Sequence, residues 1–330
     1  MNRFFTGVVA GWLAMFVASA RDGFVESFDT DPSARGWTVH GDGALFGWDA
    51  VGQRLAVTWD SSRTNSFFAR QLPAPVGGGD DFAFGFELEL AEHAVGVDPD
   101  RPGTFQIALG LLRLSEATAP GFQRGVFLRS SNLVEWTWFA PDPNGTISAS
   151  VSPVVVPRDG RLPWGYRDSY LGLETGVKYG FEYRYTATNR TLRSTVTVDG
   201  QPGPDLDPVV LPAAFTGFHV DALSVNSYSH AGQDPRYAGS VFARGWISRM
   251  HYQGPGAVTE TLELKWDSTG RRLSVPTRSG WMYQLHHSPD LRSWNPVGQM
   301  QPGTGGEVGF EFLSPADSPA GFFQMKAHLP

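Results

Sequence analysis

The stretch DFAFGFELEL, Asp81 to Leu90, sets Phe82, Phe84, Phe86, Leu88 and Leu90 against Ala83, Gly85, Glu87 and Glu89. Side chains alternate across an extended chain, so this period of two describes a strand with one face in a core and the other open to water. RLAVTWD repeats the pattern, with Leu55, Val57 and Trp59 opposing Ala56 and Thr58. Comparable segments follow in TFQIALGLLRL, GVFLRS, NLVEWTWFA, KYGFEYRYTA, TLRSTVTVDG and GFHVDALSVNSYS, punctuated by Gly, Pro, Asn and Asp. Asn189-Arg190 and Asp199-Gly200 mark the turns of a β-meander. No segment sustains an apolar period of about 3.6 residues, so the chain reads as an all-β sandwich.

Composition narrows the chemistry. The chain has 330 residues and is 41% hydrophobic, enough for one large or two unequal globular units. With no cysteine there is no disulfide, zinc-thiolate site or cysteine nucleophile. A net charge of −7 without a Lys/Arg cluster argues against nucleic acid and anionic membrane surfaces as partners.

Residues 1–20 carry Arg3, an apolar run from Phe4 to Val17 and the small residues Ala18-Ser19-Ala20. These are the three parts of a secretory signal, predicting cleavage after Ala20, a secreted or bacterial-envelope location and no transmembrane anchor in the mature chain. Strand-like sequence then fills 21–253. A linker at 254–260 (GPGAVTE) precedes a compact unit at 261–330, whose TLELKWDS, RRLSVPT, GWMYQLHHS, GEVGFEFL and AGFFQMKAHL segments fit a small fibronectin- or immunoglobulin-like sandwich of five strands.

The segments FDTDPSARGW, LFGWD, RLAVTWDSSRTNSFFARQL, SSNLVEWTWF and SYSHAGQDPRYAGSVFARGWIS resemble a group of exported planctomycete and verrucomicrobial proteins. That resemblance implies a concanavalin A-like (laminin G-like) jelly roll. Leu264, Trp266, Ser268, Tyr283, Leu285, Ser288, Asp290, Leu291, Trp294 and Gly321-Phe322-Phe323 resemble a C-terminal fibronectin-like module of the same bacteria, of the Y-x-L-x-x-S-x-D-L-x-x-W type. It implies a spacer or attachment unit. His286, His287 and Asp290 then belong to a structural motif: Tyr283, Leu285 and His287 face its core, and Gln284 and His286 face out.

Aromatic rings stack on sugar faces while neighbouring polar groups bond the hydroxyls, so the candidates for carbohydrate contact are Trp136, Trp138, Trp164, Tyr166, Tyr228, His230 and Asp234, with Tyr170 beside them in LPWGYRDSY. Trp164 and Tyr166, in a loop, are the stronger candidates. Glu87-x-Glu89-x-x-Glu92 resembles the catalytic strand of laminarinase-type glycosidases, although Glu replaces its central Asp and the flanking Trp is missing. Two carboxylates on one strand face about 5 Å apart would suit nucleophile and acid/base roles. Asp29, Asp31 and Asp221 are oxygen donors for a structural calcium, and no other cofactor is implied. The sequence thus favours an exported, non-catalytic carbohydrate-binding (lectin-like) or adhesion protein. A glycoside hydrolase or lyase using Glu87 and Glu89, and a structural surface protein without a small ligand, are the alternatives.

Overall fold

A computed structural model describes residues 21–95, 106–124, 130–139, 141, 148–161, 164–229, 241–255, 265–266, 272–277, 281–288, 292–311 and 322–328. Two large antiparallel sheets carry the first part of the chain. The nine-stranded sheet is centred on Phe82–Val95, which pairs with Lys178–Thr186 on one side and Val241–Pro255 on the other. The eight-stranded sheet is centred on Gln106–Leu112, flanked by Leu133–Phe139 and His219–Ser227. Arg21–Glu26, the first described strand, pairs along its whole length with the C-terminal part of Val241–Pro255.

The alternation in DFAFGFELEL is realised from Phe86 onward, while Ala83 and Gly85, on the face expected to be wet, are buried as well. Phe82, Phe84, Phe86, Leu88 and Leu90 are buried in the main core, and Glu87 and Glu89 face outward. The sheets meet through aromatic contacts: Phe86 packs edge-on against Trp136 with ring centroids 5.2 Å apart, and Phe82 against Phe218 at 6.0 Å. Edge-to-face geometry sets the positive rim of one ring against the negative face of the other, which adds about 0.5–1.5 kcal/mol per pair to the burial of their area.

One expectation needs correction. Leu133–Phe139 shows burial on both faces, because Trp136 and Trp138 enter the main core while Leu133 joins a second cluster on the outer side of the eight-stranded sheet. Phe67, Ala69, Ala108, Leu112, Val154 and Val156 extend that outer layer, and Leu114, Ala117, Phe122 and half-buried Trp164 cover it. A strand buried on both faces needs apolar residues on both, and the run Leu133-Val134 ahead of Glu135 carries that signal.

Near the N-terminus the segment FDTDPSARGW is folded by its own side chains. Asp31 accepts from the Ser33 amide to start a 3-10 turn at Pro32–Arg35, which Gly36 ends with φ of 87°. Arg35 binds the fully buried Glu26 and also Asp29, and Trp37 donates to Glu26 over 2.8 Å. Arg35 holds the Asp29 carboxyl below its usual range, and the Ser33 bonds do the same for Asp31.

The C-terminal strands form two three-stranded sheets around Leu273, Val275, Trp281, Tyr283, Leu285 and Phe310. Asn295–Pro302, a strand beyond the five expected, is largely exposed and lacks the alternation that would reveal it. Gln284 is buried rather than facing out. The register shifts between Tyr283 and Leu285, and the Gln284 amide turns into that bulge to donate to the Val297 and Gly298 carbonyls. Asp290 lies outside the described residues.

Removing a ring from the layer between the sheets leaves a cavity, so Trp136→Ala should lower the unfolding free energy in urea by about 3–5 kcal/mol. Val51→Ser, at a side chain that is 97% exposed, should change it by less than about 0.5 kcal/mol.

Candidate functional site

Chemistry-bearing residues gather in three places: the covered outer face of the eight-stranded sheet, its edge, and the outer face of the nine-stranded sheet.

On the covered face, Glu135 is fully buried, and its two oxygens meet three donors. Arg124 Nε donates to Oε2 over 2.8 Å, Asn226 Nδ2 donates to Oε1 over 2.9 Å, and the Tyr228 hydroxyl also donates to Oε1. Burial first, and the Glu135 charge second, hold the Tyr228 phenol well above its ordinary range, so it remains a donor. Small residues make the space: Gly110 stands in the ladder between Glu135 and Ser224, and a Cβ there would lie 2.3 Å from the Val134 carbonyl oxygen. The arrangement neutralises a buried carboxylate and ties the segment carrying Arg124 and Phe122 down onto the sheet. It commits Glu135 to structure.

This corrects three of the predicted carbohydrate contacts. Trp136 and Trp138 are 0% and 1% exposed on the inner face, and Tyr228 is 3% exposed in the Glu135 cluster. None of these rings can be reached by a sugar from solvent. Trp164 is half-buried, packs on the second cluster, and has the Arg124 guanidinium 6.0 Å from its ring centre, so it serves the cover. His230 and Asp234 lie outside the described residues.

The edge is different. Gly165–Tyr166 and Ser169–Tyr170 pair in turn with one strand, Ser150–Val156, so that Tyr166 stands opposite Val154 and Tyr170 opposite Ser150. Paired residues share a face, and Val154 belongs to the outer cluster, which puts both tyrosines on the outer side. They are 60% and 84% exposed. Alternation sets Asp168 between them on the same side and turns Arg167 and Ser169 the other way. Arg167 Nε binds Asp207 at 3.1 Å, the Asp207 amide donates to Ser169 Oγ, and Ser152 Oγ donates to the Arg167 carbonyl. Gly165 packs against Leu211 and Val209, too close for a Cβ. These contacts fix the edge strand while its ring–carboxylate–ring face stays open.

Glu87 and Glu89 share the open outer face of the nine-stranded sheet, as the alternation predicts. Glu87 Oε2 accepts from Ser248 Oγ over 3.0 Å and lies 3.9 Å from Lys178 Nζ, while Glu89 is paired across the ladder with Lys178 and Trp246. Beside Glu87 is a groove of about 190 Å3 lined by Gly180, Glu182, Thr195, Thr197, Arg249 and His251. Glu89 does not line it, and the two rings that do, Phe86 and Phe181, are buried in the core. His251 Nε2 and Glu182 Oε2 meet at 2.6 Å across Gly85, whose missing Cβ leaves them room. The flanking aromatic platform that a glycosidase cleft would need is therefore absent from this groove.

A cavity of about 940 Å3 opens beside the Gly77–Asp81 turn and reaches Thr277 and Trp281. Its carboxylates are used by the backbone: Asp80 accepts from the Gly77 amide and Asp81 from the Ala187 amide. Size alone does not make it a chemical site.

The acids predicted for calcium are also engaged separately. Asp29 binds Arg35, Asp31 starts the 3-10 turn, and Asp221 accepts from the Leu114 amide over 2.8 Å. Among the described residues no three His, Cys, Asp or Glu side chains are grouped to hold a metal ion, so these acids do not fit a shared cation site.

No family model and no curated protein matches the chain. Solved structures similar to it include lectins and a glucanase. Peanut lectin with a nine-residue peptide is 12% identical, with 71% of this chain and 97% of that one covered and a TM-score of 0.46. Lectin I from Ulex europaeus, in complex with the methyl glycoside of α-L-fucose, is 12% identical over 72% and 98%, with a TM-score of 0.41. The Bacillus licheniformis β-glucanase is 9% identical over 70% and 97%, with a TM-score of 0.39.

Breaking a buried pair by removing one charge costs about 3–5 kcal/mol. Glu135→Gln should lose that much stability in urea denaturation, and Tyr228→Phe, which deletes one bond to the carboxylate, about 1.5–3 kcal/mol.

Proposed function

We propose that the protein is an exported, non-catalytic carbohydrate-binding protein on a concanavalin A-like sandwich, with a C-terminal fibronectin-like module acting as spacer or attachment unit. The observation that carries the reading is the edge strand with Tyr166, Asp168 and Tyr170 on one open face. Exposed rings offer flat apolar area at small entropic cost, because a tyrosine side chain has few rotatable bonds. A sugar presents the matching pair of surfaces, an apolar ring face and hydroxyls at its rim, and Asp168 supplies an acceptor for those hydroxyls. The fixed backbone beneath reduces the ordering cost of binding.

The nine-stranded sheet supports binding less well and hydrolysis less well still. Its carboxylates are set among Ser248, Lys178 and His251 without an exposed ring in the groove beside them.

Export rests on the signal-like residues 1–20, directly ahead of a strand that starts at Arg21. Mass spectrometry of protein recovered from the periplasm or medium of a Gram-negative expression host should give a mature chain beginning at Arg21. Retention of residues 1–20 would contradict this.

Calorimetric titration against a panel of neutral polysaccharides should show binding to at least one, with no reducing sugar released. The double variant Tyr166→Ala/Tyr170→Ala should weaken that binding by more than about tenfold at an unchanged melting temperature, since both rings already stand in water. Binding that survives in the double variant would move the site elsewhere.

A further inference from the structure

Resting on that reading of the edge strand, we infer that the ligand is a linear, uncharged polysaccharide gripped along its length, rather than a terminal sugar held in a pocket. Tyr166 and Tyr170 are separated by four residues of extended chain, about 13 Å at about 3.3 Å per residue. A single sugar ring is far narrower than that span, so it can lie on one tyrosine but not on both. A chain crossing both rings runs parallel to the edge strand, and its middle units pass Asp168.

The shape of the surface agrees. Small ligands are usually enclosed in concave sites that bury most of their surface. Here the rings are 60% and 84% exposed, and they flank an exposed carboxylate. Rings exposed to that degree leave room for units to continue past either one. Binding energy comes from two stacking contacts on one ligand, and the second is gained at the high effective concentration that the first creates.

The charges exclude one class of chain. Asp168 is the charged group between the rings. The nearest cation in sequence, Arg167, points to the opposite side and is engaged by Asp207 at 3.1 Å. A polyuronate or sulfated polymer would bring its own negative charges beside Asp168, and repulsion of that kind discriminates between partners. Neutral hydroxyl-rich chains meet an acceptor instead.

The test is a calorimetric length series on the mature full chain. It runs from monosaccharide to long oligomer of whichever neutral polymer binds in the panel, with a polyuronate of equal length alongside. Affinity should climb with length and level off once the oligomer spans both rings. Tyr170→Ala should reduce affinity for the long oligomer by up to about tenfold and leave the shortest binding oligomer little changed. Asp168→Asn should narrow the gap between neutral and uronate chains. A monosaccharide that binds as tightly as the long oligomer, or a polyuronate that binds better than the neutral chain, overturns this inference and leaves carbohydrate binding standing. Failure of every saccharide at every length overturns both.

Discussion

The pairing of Glu135 with Arg124 is the constraint on which the arrangement of the eight-stranded sheet depends. A carboxylate at full burial is tolerated only when it is neutralised and its lone pairs are bonded, and Arg124, Asn226 and Tyr228 do both. The bonds come from different parts of the chain: Arg124 from the covering segment, Asn226 from His219–Ser227, the second strand along the sheet from that of Glu135, and Tyr228 from just beyond it. Together they fix the cover against the sheet, with Phe122 and Trp164 packed around them. The sheet is thereby closed on both faces across its middle, and its outermost strand is where aromatic rings emerge.

Closure of the middle changes what the edge can do. Val154 sits in one cross-strand row between Glu135 and Tyr166, so the same register that aligns the buried pair also sets the direction of the exposed ring. Rigidity at the centre and openness at the margin follow from one ladder. Side chains on an edge strand held by Arg167–Asp207, Ser152 and Leu211 are more precisely placed than they would be on an unsupported loop.

Much of the fold was legible in the sequence because period-two alternation is a local property. The face Phe82 to Leu90 was read directly, and so was the outward position of Glu87 and Glu89. Alternation does not say whether the second face of a strand is wet, however. Trp136 and Trp138, expected to contact carbohydrate, share a face, yet that face is the core one, and part of the cover over Glu135 comes from residues distant in sequence. Tyr228 is hidden for the same reason: its burial depends on Phe67 and Phe122, which pack on it from elsewhere in the chain. Gln284 departs from its expected side because of a bulge, which inserts a step that simple alternation cannot foresee. Tyr166 and Tyr170 were accessible to sequence reasoning as loop aromatics, but their common face emerged only from their pairing with Val154 and Ser150.

The central claim, that this edge is where a glycan binds, is tested most directly by nuclear magnetic resonance on protein with labelled tyrosine rings, of which the chain has nine. On addition of a neutral polysaccharide fragment, the ring signals of Tyr166 and Tyr170 should shift or broaden while those of buried Tyr183, Tyr185 and Tyr228 stay in place. Tyr166 and Tyr170 ring signals that stay unmoved while the fragment binds, as followed by calorimetry on the same sample, would contradict the account.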